Sequence, residues 1–234
     1  MKKGLIALFF VVGASSLAAF AAPIMYPDPV APPGAAQFSL ISEDSVTDPP
    51  PLYGAPVQIG DILSFAPTTF VSYSGPNSSD TTSGTLKFDA TAPAGEHFTT
   101  LAVNEIGDFS VTGLGNSQAY VSGLLTVRDL DTGEVLFNSL IVQPPSPFLH
   151  PSLNDGPFQA GRVLQFSGTS TTNIEVVFNN TLSTAADPLS AALIQKKAID
   201  FTVTSEVPEP AAMLLFGIGG VGLLAGRRRL MRSA

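Results

Sequence analysis

The sequence predicts a mainly β protein: a single antiparallel β-sandwich, jelly-roll-like, with a hydrophobic segment at each end of the chain. Three observations carry this. Short segments that alternate apolar and polar side chains recur from residue 62 to residue 204, and period-2 alternation buries one face of a strand and wets the other. Gly-, Pro- and Asn-rich turns separate these segments. The chain has no cysteine, so burial alone must hold it together, which two packed sheets of about 185 residues can do.

The elements follow in chain order. Lys2 and Lys3 precede an apolar run at 5–12 and then small residues up to Ala22. Charged start, apolar middle and small-residue exit are the layout of a secretory signal peptide spanning 1–21. Ala19 and Ala21 flank Phe20 as the small-x-small cleavage site, which makes Ala22 the new N-terminus. Residues 22–56 are rich in proline, including Pro49-Pro50-Pro51. They read as an extended arm with the body's first strand near 37–41 and a loop at 42–56.

The sandwich body is expected over 57–206. Leu86, Phe88 and Ala90 alternate with Lys87 and Asp89. Val121, Gly123, Leu125 and Val127 do so with Ser122, Thr126 and Arg128. Ile174, Val176 and Phe178 share one face, as do Ile199, Phe201 and Val203. Further strands are predicted at 62–65, 69–74, 97–103, 108–112, 134–142 and 162–167. Turns are predicted at Gly75-Pro76-Asn77, Pro93-Ala94-Gly95, 113–116, Asp131-Thr132-Gly133 and Asn179-Asn180. One short helix is predicted at 189–195, with Asp187 as N-cap, Pro188 in the first turn and Lys196-Lys197 at the C-terminal end.

The C-terminal 28 residues differ in kind. Pro208 and Pro210 keep the backbone extended around Glu209. Residues 211–226 carry no charge and read as a short transmembrane helix, 16 residues against the ~20 that a bilayer core needs. Arg227, Arg228, Arg229 and Arg232 follow and place that end on the cytoplasmic side, with the body outside. Val207, Pro208, Glu209 and Pro210, then the Gly/Leu-rich segment, then Arg227, Arg228 and Arg229, resemble the sorting tail of PEP-CTERM proteins. The resemblance covers the tail alone. It implies a Gram-negative, exopolysaccharide-producing bacterium. It also implies an exosortase in the inner membrane, an integral-membrane cysteine protease or transpeptidase, that releases the body to the cell surface or matrix.

Charge and composition narrow the function of the body. Between Ala22 and Val207 stand five Lys or Arg and 18 Asp or Glu, a formal charge of −13. Such a surface repels nucleic acid. The absence of cysteine removes thiol nucleophiles, and the absence of tryptophan removes the strongest sugar-stacking platform; Tyr26, Tyr53, Tyr73 and Tyr120 are the tyrosines that remain. His97 and His150 have no partners at ligand spacing and read as structural. No G-x-S-x-G elbow and no phosphate-binding glycine loop is present. Asp129, Asp131 and Glu134 surround Gly133. They form a weak Ca²⁺ candidate, against the plainer reading of a hairpin turn with Gly133 left-handed. No other cofactor is expected. The leading expectation is a non-catalytic, exported surface or matrix protein associated with biofilm or exopolysaccharide. The alternative is a carbohydrate-binding module, and a hydrolase built on paired carboxylates comes third.

Overall fold

The computed structural model describes residues 22–152, 155–168 and 170–208. The signal-peptide reading, including Ala19 and Ala21, lies outside the described residues. So do Glu209, Pro210, the 211–226 segment and Arg227, Arg228 and Arg229. Among the described residues, no helix is long and apolar enough to cross a membrane.

Fourteen strands run in the order β1 (Ile24–Met25), β2 (Gln37–Asp44), β3 (Val57–Ile59), β4 (Ile62–Phe65), β5 (Val71–Ser74), β6 (Ser78–Thr91), β7 (His97–Gly113), β8 (Ser117–Asp129), β9 (Val135–Ser139), β10 (Ile141–Gln143), β11 (Phe148–Leu149), β12 (Asp155–Gln165), β13 (Asn173–Ala186) and β14 (Ser190–Glu206). They form the expected sandwich. One sheet has the order β1-β2-β6-β13-β8-β11, with β9 also paired to β8. The other has the order β10-β12-β7-β14-β4-β3, with β5 also paired to β14. All pairings are antiparallel.

The alternation seen in the sequence builds the core. Leu86, Phe88, Val127, Ile174, Val176 and Phe178 face inward from the first sheet and are fully buried. Ile199 and Phe201 meet them from the second. Phe201 packs edge-on to Phe88 and Phe178, with ring centroids 5.0 and 5.4 Å apart. Edge-to-face contacts set the positive ring rim against the negative face and add to the burial term.

Four expectations are corrected. Residues 189–195 form no helix. They start β14, with Ser190, Ala192 and Ile194 buried in alternation. Pairing with β5 and β7 overrides the helix propensity of Ala, Leu, Gln and Lys. Asp187 begins a turn rather than capping a helix: Ser190 N donates to Asp187 O, and Leu189 has φ 65°. Asn179-Asn180 is no turn but mid-β13. The segments at 97–103 and 108–112 are one strand, β7. The segment at 134–142 breaks at Leu140 into β9 and β10, which pair in different sheets.

The proline-rich arm joins the body closely. β2 pairs with β6 and extends through Ser42, Glu43 and Asp44 into the expected loop. A register shift between Ser39 and Ser42 turns Ile41 and Glu43 inward. The Glu43 carboxylate, fully buried, accepts hydrogen bonds from Tyr26 Oη at 2.6 Å, from Tyr53 N at 3.2 Å and from Leu52 N. Burial, then the hydrogen bond to Glu43 and the charge on it, raises the Tyr26 pKa far above the usual phenol range. Leu52 and Tyr53 are thereby drawn into the core.

Candidate functional site

Three connections meet at one end of the sandwich. The β5–β6 turn carries Asn77 with φ 55°. The β7–β8 turn carries Gly113, Gly115 and Asn116, and the β13–β14 turn carries Asp187 and Leu189. The last two interlock. Gly113 has φ 126°, and a Cβ there would stand 2.4 Å from Leu189 O. Gly115 N donates to Ser190 Oγ at 2.9 Å. Asn116 donates from its backbone N and from Nδ2 to Asp187 Oδ2, at 3.3 and 3.1 Å.

These turns and the start of β8 enclose a hollow of about 590 Å³, lined by Asn77, Asn116, Gln118, Leu149, His150 and Asp187 among others. His150 is fixed by its backbone N, which donates to Ser117 O at 3.0 Å, and by Nδ1, 3.2 Å from Gly115 O. The lining is rich in amides and hydroxyls, with Leu149 as an apolar member and Asp187 as a carboxylate. It offers both donors and acceptors to a neutral polyhydroxyl ligand. Sequence reasoning placed His150 in a loop but had no means of joining it to Asn77 and Asp187. The turn signals at 75–77 and 113–116 were visible, but their shared end of the sandwich was not.

His97 opens β7 at the opposite end, 7% exposed, and the two histidines do not meet. The acidic turn also lies at that opposite end. Asp129 N donates to Glu134 O at 2.9 Å and Gly133, with φ 79°, donates to Asp129 O at 2.8 Å. The turn joins β8 to β9, whose register runs from Arg128–Val135 to Leu124–Ser139. The three carboxylates are each engaged by protein donors. Asp129 accepts from Asp131 N, Thr132 N and Thr171 Oγ1 at 2.8, 3.1 and 2.7 Å. Asp131 Oδ2 accepts from Thr172 N at 2.6 Å, Thr172 Oγ1 at 2.9 Å and Asn173 N at 2.9 Å. Glu134 Oε2 accepts from Ser167 Oγ at 3.2 Å. Burial pushes the Asp129 and Asp131 pKa values up, the hydrogen bonds outweigh it, and the net direction is down for both. Among the described residues, no group of three or more His, Asp or Glu stands where it could hold a metal ion.

Exposed aromatic side chains are present but scattered. Tyr120 and Phe137, 41% and 69% exposed, lie on the outer face of the first sheet, and Tyr73, 57% exposed, lies on β5 of the second. Phe137 pairs with Thr126, six residues along β8 from Tyr120, a separation of roughly 20 Å. They form no single stacking platform.

The class defined by these features is a β-sandwich protein bearing a sorting tail directly after its last strand. The tail is specific: residues 206–229 match the PEP-CTERM protein-sorting motif. That motif marks an exported protein sorted by way of the membrane. No curated protein matches the chain. Among solved structures, the chain is similar to TmCBM61 in complex with beta-1,4-galactotriose, at 15% identity over 74% of this chain and 92% of that one, TM-score 0.24. It is also similar to the CBM22-1 xylan-binding domain of Paenibacillus barcinonensis Xyn10C, at 9% identity over 80% and 97% of the two chains, TM-score 0.21. Likenesses this distant carry no residue and no ligand across.

Proposed function

We propose that this is a non-catalytic protein of the cell surface or extracellular matrix, delivered by an exosortase and associated with biofilm exopolysaccharide. The observation that carries this reading is the sorting motif beginning at Glu206, the last residue of β14, so that the tail follows directly on a folded, acidic sandwich. A negative body keeps such a protein soluble and apart from its copies outside the cell.

A second reading, binding of carbohydrate, is favoured by the hollow beside Asn116 and Asp187. Its amides and hydroxyls suit sugar hydroxyls, and its one carboxylate already accepts from Asn116. A binding role fits this lining better than the usual glycoside hydrolysis, which sets a pair of carboxyl groups about one bond. A glycan array that includes the host's own exopolysaccharide tests it, with the protein collected from the culture exterior. Retention of a neutral polysaccharide, weakened severalfold in Gln118→Ala, is the expected result. Equal retention by both proteins rejects the hollow, and no retention on any glycan leaves the matrix role without a sugar ligand.

A further inference from the structure

The interior of the sandwich holds a polar cluster that the surface function does not use. Lys196 on β14, Glu105 on β7 and Asn180 on β13 are 2%, 0% and 2% exposed. Lys196 Nζ lies 2.6 Å from Glu105 Oε2, with both side chains wholly buried. Asn180 Nδ2 donates to the same Oε2. With the same oxygen beside both, the two nitrogens lie within about 6 Å of each other. Lys196 Nζ, Glu105 Oε1 and Asn180 Oδ1 have no hydrogen-bond partner among the described residues, so the cluster holds an unused amine beside two unused acceptors.

Local sequence makes room for this cluster. Asn180 pairs with Gly84 on one side and Gly123 on the other. Its row of the inner face therefore carries no other side chain. A Cβ on Gly84 would stand 2.9 Å from the Tyr53 ring, and one on Gly123 would stand 2.6 Å from Leu140 Cδ1. Across the core, Lys196 pairs with Gly107, and the register shift between Lys196 and Ala198 lets Lys197 face solvent while Lys196 points inward. The Phe70 ring lies 5.3 Å from Nζ, and Tyr53 packs edge-on to Phe70 at 5.1 Å. The three polar side chains are buried and come from both sheets.

We propose that Lys196 and Asn180 condense into an intramolecular amide bond that joins the two sheets through the core, with Glu105 carrying the proton. The bond between Lys196 Nζ and Asn180 Cγ forms, and the bond between Cγ and Nδ2 breaks. The proton shed by Nζ passes through Glu105 to Nδ2, which leaves as ammonia. Nothing is oxidised or reduced, and no co-reactant is needed.

Each requirement of the step has a physical source. The attacking amine must be neutral. Burial lowers the Lys196 pKa, with Glu105 opposing, and an ion pair in apolar surroundings is relieved when the proton moves to the carboxylate. A protonated Glu105 stands against Asn180 Nδ2, the atom that must take up a proton to leave as ammonia. Fixing amine and amide in one chamber replaces a bimolecular encounter by a unimolecular one, which is worth a large effective molarity. Burial of all three side chains keeps bulk water, the competing nucleophile, away from the amide.

Peptide mapping of the full chain tests the bond. The protein is denatured, then cut with trypsin and with a protease that cleaves before aspartate. Trypsin releases 163–197 after Arg162 and Lys197, and the second cut before Asp187 separates 163–186, which holds Asn180, from 187–197, which holds Lys196. The expected result is one covalent species about 17 Da lighter than the two fragments together, uncut after Lys196. Asn180→Asp should reach the same product mass by losing water instead of ammonia. Glu105→Gln and Lys196→Arg should give two free fragments. Free fragments from the wild-type protein overturn the proposal. So does a 17 Da loss confined to 163–186, which marks a succinimide. A cross-link that persists in Glu105→Gln removes Glu105 as proton carrier and overturns the mechanism.

Discussion

Asp131 is exposed, yet it organises the start of β13 by accepting from Thr172 N, Thr172 Oγ1 and Asn173 N. Asp131→Ala strands those donors in water, and we expect a loss of about 1–2 kcal/mol in chemical denaturation. The pH dependence has a definite sign. Asp131 and Asp129 have folded-state pKa values lowered from the ordinary range. Their contribution is present above the unfolded value of about 4 and fades as pH falls through the lower folded value. Acid titration of stability should therefore show a smaller loss in Asp131→Asn than in the wild type. With these carboxylates already engaged, millimolar Ca²⁺ should move the Tm of wild type and Asp131→Ala by the same amount; a shift seen in the wild type alone would restore the calcium reading. Gly107 is constrained by space. A Cβ there would lie 2.2 Å from Gln195 O and 2.5 Å from the Phe158 ring, so Gly107→Ala should cost about 1–3 kcal/mol by overpacking.

At the scale of strands, period 2 makes most of the sandwich legible, and three of the departures involve a polar side chain that faces inward. In the sequence β7 reads as two strands because Glu105 interrupts its apolar phase, β13 breaks at Asn179-Asn180, and the first half of β14 reads as a helix because Asp187-Pro188 resembles a capped start and Lys196, with Lys197, a favourable C-terminal charge. Glu105, Asn180 and Lys196 all face inward, and a sequence cannot show that distant polar residues satisfy one another. The extra residue at the Lys197 register shift also changes phase within β14. The hollow was hidden for a related reason, since its walls come from three turns far apart in the chain. The arm offers its own test. Glu43→Ala leaves the N–H groups of Leu52 and Tyr53 without their acceptor, which should cost about 2 kcal/mol. Limited proteolysis should then cut the 45–51 segment faster than in the wild type, whereas an unchanged rate would show that packing of Leu52 and Tyr53 alone holds the arm.

The molecule as a whole is held without cysteine, and its thermal transition should be single and unchanged by reductant. A bond from Asn180 to Lys196 closes a loop of about 15 residues, which the chain-entropy account of cross-links values at ~3 kcal/mol. Lys196→Arg should accordingly lower the Tm by roughly 10 °C, read by calorimetry. Intact mass of protein from the host's exterior should lack both hydrophobic ends, and a species retaining Arg227 to Arg229 would contradict exosortase release. The direction of β14 has a consequence for how the cargo is displayed. The strand rises roughly 50 Å from Ser190, beside the hollow, to Glu206, where the sorting motif begins. Residues 207–210 can reach at most about 15 Å before the expected span starts. A body tethered by the expected span would keep its acidic turn nearer the lipid than its hollow, which lies at the other end of the sandwich. On the carbohydrate reading proposed above, that end meets a polymer strand while the body is still moored, and release from the membrane sets protein and polymer adrift together.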